Sequence, residues 1–204
     1  MIYEQINQKT HILYSHLDRF RFEIEIILHC GGSFFEKEQN RGQKHLLEHC
    51  IASRTKSLNF QDLKDFQFAQ NISLNAYTGP VTMGLTATGH RDDLEKVLTI
   101  LWEMITKPTF EQSILEREKE IVLREISERR GDPAYELHYF VQNQVFTPDS
   151  IEVHEVLGDS DKVTLTTLED FSNLHSQSLK DSHIIIQIAG NGIDIAKIKE
   201  ICKV

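Results

Sequence analysis

The sequence predicts an α+β fold in which a mostly antiparallel β-sheet is covered by helices. Gly79-Pro80 separates two strand-like runs and predicts a hairpin turn. A hairpin favours antiparallel pairing over the alternating strand and helix order of a parallel sheet. The chain has 204 residues, 40% of them hydrophobic, which is enough for one compact domain with its own core. We therefore expect residues 1–204 to form a single domain.

The predicted elements follow from the periodicity of the apolar residues. Strand-like stretches rich in β-branched or alternating apolar residues cover residues 22–29, 72–78, 81–88 and 183–189. Helical patterns fill much of the rest, most clearly residues 43–52, 92–105, 110–129, 133–145 and 193–202. Pro108 and the Gly131-Asp132-Pro133 segment mark the breaks between the central helices.

The segment from Gly42 to His49 places two imidazoles and a carboxylate on adjacent turns of one predicted helix. Because a helix has about 3.6 residues per turn, His45 and His49 lie on one face and can bind the same ion. Glu48 lies beside them as a candidate general base. This pattern predicts a zinc site, but a catalytic zinc ion usually has three protein ligands. A third ligand must therefore come from another part of the chain.

Glu125 is the candidate third ligand. It lies far downstream of His49, in a carboxylate-rich segment with helical spacing, residues 116–126. Glu118 precedes it by nearly two helical turns, so both carboxylates share one face. Glu118 can then hydrogen-bond a ligand ring or a water molecule at the site. Cys50 follows His49 directly, but it points about 100° away around the helix, which favours a buried thiol over a fourth ligand.

The order His-x-x-Glu-His, inverted relative to the commoner zinc-peptidase motif, is typical of inverzincins. With the downstream carboxylate pair, the chain resembles the pitrilysin-like M16 metallopeptidases. The resemblance implies one Zn²⁺ bound by His45, His49 and Glu125, with Glu48 and Glu118 as catalytic residues. It also implies the LuxS/MPP-like metallohydrolase fold. Further similar segments are residues 31–36, 75–78 and 155–158.

The resemblance also implies a partner. Typical M16 members carry a second, similarly folded half without a zinc motif, and the 204 residues do not include such a half. We therefore expect the chain to be a single catalytic domain that works as a homodimer or as a heterodimer with a second M16-like chain.

In the family, the strand that corresponds to Asn75, Ala76, Tyr77 and Thr78 offers its edge to the substrate. These four residues are therefore the candidate peptide-binding residues. Main-chain pairing at a sheet edge accepts any extended backbone, so the resemblance implies broad recognition of peptides. The alternative is an ordinary strand beside the core that begins with a polar Asn.

The function that the resemblance implies is zinc-dependent endopeptidase activity on small or unstructured peptides. Glu48 would accept the proton of the attacking water and pass it to the leaving amine. Two alternatives remain. The chain can be a non-catalytic partner that binds peptide or scaffolds another M16-like subunit, or a structural subunit of a larger complex.

Composition and charge limit the classes of partner and the cellular location that we expect. The net charge of −9, from 22 basic and 31 acidic residues, argues against a nucleic-acid partner. No run approaches the ~20 apolar residues of a membrane helix, so no membrane insertion is expected. The first residues lack the pattern of a secretory or organellar signal, and reduced thiols fit the cytosol, so we expect a cytoplasmic protein.

The remaining polar residues receive no functional role. Lys44 and Arg54, which flank the motif, are expected to face solvent. The other histidines show no ligand spacing and are expected to be surface residues or locally hydrogen-bonded; they are His11, His16, His29, His90, His138, His154, His175 and His183.

Overall fold

The computed structural model describes residues 1–192 and 194–203. It contains one six-stranded sheet in the order β1-β2-β6-β3-β5-β4. The strands are β1 Ile2–Gln5, β2 Thr10–His16, β3 Arg21–Leu28, β4 Ser73–Thr78, β5 Met83–His90 and β6 Ile184–Gly190. Neighbouring strands are antiparallel except for the parallel pair β2 and β6. The predicted α+β fold with a mostly antiparallel sheet is confirmed.

Helices occupy much of the remaining chain. They are α1 Gln43–Ala52, α2 Phe60–Ala69, α3 Leu94–Thr106, α4 Gln112–Arg130, α5 Pro133–Val145, α6 Ser160–Leu165, α7 Leu168–Asp181 and α8 Ile195–Ile201. The bounds of α1 and α5 match the prediction. Ile193, where the last helix was predicted to begin, lies outside the described residues; α8 starts after Asp194, whose side chain accepts from the Ala196 N–H. Within the described ranges, no helix is both long and apolar enough to cross a membrane.

The core lies between the helices and one face of the sheet. In β3, alternate residues Phe22, Ile24, Ile26 and Leu28 are buried, while the residues between them are exposed or half-buried. This period of two is expected for a strand with one face on the core. Helices α1 and α3, of which α3 is the more apolar, pack on this buried face. The metal-ligand motif on α1 therefore lies on the covered side of the sheet.

β4 is an edge strand, as predicted. It pairs only with β5 in the described sheet, with Thr78 opposite Met83. The Gly79 N–H donates to the Thr82 carbonyl at 2.7 Å and closes the hairpin predicted at Gly79-Pro80. The outer edge of β4 therefore presents backbone groups that no other described strand pairs.

The start of α1 is fixed by two glycines in contact. Gly42, at the N-cap of α1, has a φ of 90°, and Gly158 has a φ of 71°. A Cβ atom on Gly158 would lie 2.2 Å from the Gly42 nitrogen. The two backbones can approach this closely only because neither residue has a side chain. This contact explains the presence of Gly158 in the Glu155-Val156-Leu157-Gly158 segment.

Glu36 caps α1 from a distance. Its Oε2 accepts from the Gly42 N–H at 2.9 Å and its Oε1 accepts from the Lys44 N–H at 2.6 Å. These are two of the N–H groups that a helix leaves without intrahelical partners. Burial raises the pKa of the Glu36 carboxyl to about 7, although both hydrogen bonds and the charges of Lys44 and Arg41 act to lower it.

Lys44 does not face solvent, contrary to expectation. It is 3% exposed, and its Nζ donates to the Cys30 carbonyl at 2.5 Å. The prediction was wrong because the charge of a residue does not reveal whether a backbone carbonyl lies where the end of its side chain can donate to it.

We expect Gly158→Ala to destabilise the fold by more than about 2 kcal/mol. Alanine at positive φ costs about 1–2 kcal/mol, and the added Cβ also collides with Gly42. Gly192→Ala is the matched control, because Gly192 has a φ of 74° but a Cβ atom there would have no described atom within 4 Å. Urea unfolding of both variants measures the difference. If Gly158→Ala and Gly192→Ala lose equal amounts of unfolding free energy, the contact between Gly42 and Gly158 does not constrain the fold.

We expect the stability advantage of the wild type over Glu36→Gln to shrink as pH rises from 5 to 8. The pKa of Glu36 is about 7 in the folded state against an ordinary 4.5, so the folded chain binds this proton more tightly. Stability from this group is full below pH 4.5 and is lost as pH rises through 7, on the order of 1–3 kcal/mol.

The measurement is urea unfolding of metal-free protein at both pH values, so that metal binding does not contribute. Glu128→Gln, at an exposed position of α4, is the control. If the difference in unfolding free energy between the wild type and Glu36→Gln is the same at both pH values, a buried carboxyl that titrates in this range is ruled out.

Candidate metal centre

Three predicted ligands come together between α1 and α4. His45 Nε2 and His49 Nε2 lie 3.3 Å apart, and Glu125 Oε2 lies 3.6 Å from each of them. The two histidines are one helical turn apart on α1, as the spacing predicts. These three residues form the one group of potential metal ligands found among the described residues.

The separations fit a zinc ion. Tetrahedral coordination with bonds of about 2.0–2.1 Å places ligand atoms roughly 3.3–3.4 Å apart. The observed 3.3 and 3.6 Å therefore require only a small adjustment of the Glu125 side chain, which is 38% exposed. Two imidazoles and a carboxylate are also a donor set that zinc accepts.

His45 is held in its neutral form. It is 8% exposed, and burial, followed by the neighbouring His49, lowers its pKa to about 4. A neutral imidazole offers a nitrogen lone pair, which a metal ligand needs. Its Nδ1 has no hydrogen-bond partner among the described residues, so the ring is oriented by packing and by the contact of its Nε2 with His49.

His49 is oriented by a carboxylate instead. Its Nδ1 lies 3.3 Å from Glu118 Oε2, while its Nε2 faces His45 and Glu125. Burial alone would lower the pKa of His49, but the hydrogen bond to Glu118 and the nearby carboxylates raise it overall. A carboxylate behind a histidine ligand fixes the ring and makes it more basic. Glu118 is thus in position for its predicted role beside a ligand ring.

Glu118 is itself held by Arg117, a residue to which the sequence pattern assigned no role. Arg117 Nε and Nη2 donate to Glu118 Oε1 at 3.0 and 2.6 Å, and its guanidinium stacks over Phe60 at 4.6 Å. Burial would raise the pKa of Glu118, but His49 and Arg117 lower it overall. The carboxylate therefore stays charged. Only the adjacency of Arg117 to Glu118 could have suggested this contact from sequence.

Glu48 lies between the ligands and the edge strand. Its Oε2 is 4.0 Å from His45 Nε2 and accepts a hydrogen bond from Thr78 Oγ1 at 3.1 Å. It is 9% exposed, and burial raises its pKa, with smaller increases from Glu125 and Glu118 and decreases from His49 and Thr78. A carboxyl with a raised pKa can both accept and return a proton near neutral pH.

The four candidate peptide-binding residues point in different directions. Thr78 reaches Glu48, whereas the Tyr77 hydroxyl donates to Glu25 Oε1 at 2.8 Å on the other face of the sheet. Asn75 and Ala76 line a cleft of about 190 Å³ beside the metal ligands, together with Lys64 of α2. The cleft thus joins the edge strand to Glu48 and His49.

Cys50 is a buried thiol. It is 3% exposed, and burial raises its pKa to about 12, followed by smaller effects of nearby charges. A thiol that retains its proton is a poor metal ligand. The group of three donors does not include Cys50, in agreement with the expectation from its angle around the helix.

Comparisons with known proteins agree on one family. Residues 23–147, more than half of the chain, match the family described as Insulinase (Peptidase family M16). The mitochondrial-processing peptidase subunit beta of Bos taurus is 25% identical over 173 residues, which cover 85% of this chain and 35% of that protein. The chain thus spans about a third of the length of this curated relative.

Two solved structures have the same fold. A protease from Helicobacter pylori superposes with a TM-score of 0.86 at 20% identity, over 99% of this chain and 48% of that one. A peptidase M16 inactive domain from Pseudomonas fluorescens superposes with a TM-score of 0.84 at 14% identity, over 98% of this chain and 48% of that one. The match to the family profile covers β3 from residue 23, β4, β5 and both helices that carry the candidate ligands, and it leads to one conclusion: the chain belongs to peptidase family M16.

Proposed function

We propose that the chain is the catalytic domain of a zinc-dependent endopeptidase that hydrolyses small or unstructured peptides. One observation carries the proposal. His45, His49 and Glu125 converge with separations of 3.3–3.6 Å, and the buried carboxyl of Glu48 lies beside them, 4.0 Å from His45 Nε2. One zinc ion per chain would bind these three ligands. When bound, zinc acidifies water and polarises a carbonyl group.

Glu48 is the proposed proton carrier. Its Oε2 is held by the Thr78 hydroxyl, so the carboxylate is oriented before substrate arrives. It accepts the proton of the attacking water and then donates it to the leaving amine as the peptide bond breaks. The raised pKa of Glu48, caused chiefly by burial, suits a group that must perform both transfers.

Asn75, Ala76, Tyr77 and Thr78 are the proposed peptide-binding residues. β4 is the edge strand, and its outer backbone groups can pair with an extended peptide. Because Thr78 contacts Glu48, a peptide added to this edge lies close to the proton carrier. Pairing of this kind needs an extended backbone, so folded proteins are excluded unless they unfold locally.

Glu118 is proposed to act through His49. Its Oε2 contacts His49 Nδ1, and Arg117 holds its other oxygen. This arrangement fixes the ring whose Nε2 faces the ion site. We therefore assign Glu118 an orienting role in the catalytic site.

We further propose that a second M16-like chain completes the peptide clamp, as a homodimer or as a heterodimer. The chain spans 48% of the Helicobacter pylori protease, and the bovine relative is named as a subunit. A cytoplasmic location stays a prediction, as does the absence of a nucleic-acid partner that the net charge of −9 favours.

A non-catalytic role as a peptide-binding or scaffolding partner is the second candidate. It is favoured by the similarity to a Pseudomonas fluorescens domain described as inactive. The presence of His45, Glu48, His49 and Glu125 in one cluster favours the catalytic role. Peptide hydrolysis that depends on zinc would distinguish the catalytic role from the non-catalytic one.

We expect Glu48→Gln to retain zinc and to lose peptide cleavage by at least about 10²-fold, because it removes the proton carrier and leaves the three ligands in place. His45→Ala, His49→Ala and Glu125→Ala should lose both zinc and cleavage. The measurements are zinc content and chelator-sensitive cleavage of a mixed library of unstructured peptides, followed by mass spectrometry on the same samples.

Full zinc content in a folded Glu125→Ala protein would contradict the assignment of the third ligand. Cleavage by the wild-type chain alone indicates a self-sufficient assembly, probed further by its mass in solution. A folded, zinc-loaded wild type that cleaves no peptide in the presence of a second M16-like chain would favour the non-catalytic role.

We expect Glu118→Gln to weaken zinc binding about 10–100-fold, the usual cost of removing a partner that orients a histidine ligand. Glu128→Gln, an exposed carboxylate on the same helix, is the matched control for the change in net charge. Competition with a chelator of known affinity measures the loss. An affinity equal to that of Glu128→Gln would rule out the orienting role.

A further inference from the structure

A large cavity lies between α5, the segment that follows this helix and the hairpin at Gly79-Pro80. Its volume is about 580 Å³, within the range of about 300–1,000 Å³ that is usual for ligand sites. Its lining comes from α4, α5, residues 151–157 and Pro80. It shares no lining residue with the cleft at Asn75 and Ala76. The cavity is therefore a separate feature of the surface.

Two elements place this cavity next to the candidate metal ligands. Arg129, which lines it, lies one helical turn after Glu125 on the same face of α4. Pro80, on the hairpin, follows Thr78 by two residues, and the Thr78 hydroxyl donates to Glu48. The cavity therefore begins one turn beyond a candidate ligand and directly beyond the strand residue that contacts the proposed proton carrier.

The candidate metal ligands lie between two cavities along β4. Asn75 and Ala76, in the first half of the strand, line the cleft that also includes Glu48 and His49. Pro80, after the end of the strand, lines the larger cavity. A peptide paired with the outer edge of β4 advances about 3.3 Å per residue. It therefore passes from the cleft across Glu48 to the larger cavity within a few residues, and one of its side chains reaches that cavity.

The walls of the larger cavity are mainly apolar. Tyr139 of α5 contributes an aromatic ring, which packs against the Arg130 guanidinium at 4.5 Å. The aliphatic residues of the lining come from the segment after α5 and include Ile151, Val153, Val156 and Leu157. A bulky apolar side chain that enters the cavity removes its own surface and that of these walls from water, which favours binding.

The carboxylate of Glu155 does not make the cavity select a basic side chain. Its Oε2 accepts from Arg130 Nη2 at 2.5 Å, and its Oε1 accepts from the Tyr135 hydroxyl. Both oxygens are thus occupied, and the charge is offset by the guanidinium. The other charged residues of the lining, Arg129 and Glu152, are opposite in sign and both exposed. The lining therefore favours neither sign of charge.

We infer that this cavity binds one side chain of a peptide substrate and selects a bulky apolar residue, aromatic or long aliphatic, a few residues from the cleaved bond. The inference rests on the proposed peptidase function and assigns a substrate class to that site. A peptide with a small or charged residue at this position leaves the apolar walls in contact with water. Such a peptide is a poorer substrate.

The first test is cleavage of a mixed library of unstructured peptides by the zinc-loaded chain. We expect bulky apolar residues to be enriched at one fixed position relative to the cleaved bond. At that position, kcat/KM should be at least about tenfold higher for Phe than for Ala. Val156→Trp fills the cavity and should remove most of this preference, and Val153→Trp repeats the test if Val156→Trp does not fold. Val141→Trp is the matched control, because Val141 is 46% exposed on α5 and does not line the cavity.

A binding measurement separates this inference from the proposed function. Zinc-loaded Glu48→Gln, alone and combined with Val156→Trp or Val141→Trp, is titrated with fluorescent Gly/Ser peptides that carry one Phe at successive positions. We expect one Phe position to strengthen binding by about tenfold or more over the peptide without Phe. Val156→Trp should abolish this gain, and Val141→Trp should retain it.

Each outcome decides the assignment of the cavity. Cleavage without a preference for bulky apolar residues, or with a preference that Val156→Trp and Val141→Trp leave equally unchanged, overturns the assignment and leaves the peptidase function standing. Selective binding without cleavage supports the assignment of the cavity alone. The absence of both selective cleavage and selective binding overturns it.

Discussion

The position of α1 is the constraint on which the site depends. Three side chains of the site come from this one helix, so a rotation of α1 about its axis would move His45, Glu48 and His49 together. The contact between Gly42 and Gly158 and the bidentate cap by Glu36 fix where the helix begins. A helix with a fixed start and a buried face has little freedom to rotate. The site geometry is therefore set several residues before the first ligand.

The second helix of the site, α4, both packs against the core and carries two carboxylates of the site. On α4, Leu115, Val122 and Ile126 are buried against the core, and Glu118 lies on the same inward face. Glu118 can be buried as a charge because His49 and Arg117 both contact it. Glu125, nearly two turns later, lies at the more exposed end of this face. The carboxylate of Glu118 is thus held by two side chains beside His49, while that of Glu125 is more exposed to solvent.

The features that the sequence predicts well depend on residues that are close together in the chain. His45, Glu48 and His49 lie within two turns of one helix, so their relation follows from the helical period alone. The hairpin at Gly79-Pro80 likewise predicts that β4 and β5 are neighbours. Glu125 was a candidate because of its carboxylate-rich helical segment, and the family resemblance supported it, because spacing within α4 does not reveal which helix packs against it. The structure brings Glu125 to the two histidines, whereas its role as a ligand stays a prediction.

Several features that the sequence did not predict depend on residues far apart in the chain, although β1, β2, α2, α6 and α7 are local elements that were also not predicted. β1 and β2 were not identified, because β1 is only four residues long and mostly exposed, and in β2 the apolar residues are mixed with His11 and His16. The burial of Lys44 depends on the Cys30 carbonyl, and the cap of α1 depends on Glu36, which precedes it by a loop. The contact between the His11 and His183 rings depends on the pairing of β6 with β2. No spacing within a single segment encodes these contacts.

The carboxylates around the α1–α4 cluster suit a divalent cation. Glu48, Glu118 and Glu125 each lie within 3.3–4.0 Å of a histidine nitrogen in this cluster, where His45, Glu48 and Glu118 are buried. Carboxylates that share a buried pocket repel one another unless positive charge is nearby. Arg117 offsets the charge of Glu118, and a divalent ion at the three donors would offset the charge of Glu48 and Glu125. The number of carboxylates is therefore itself an argument for a cation at this cluster.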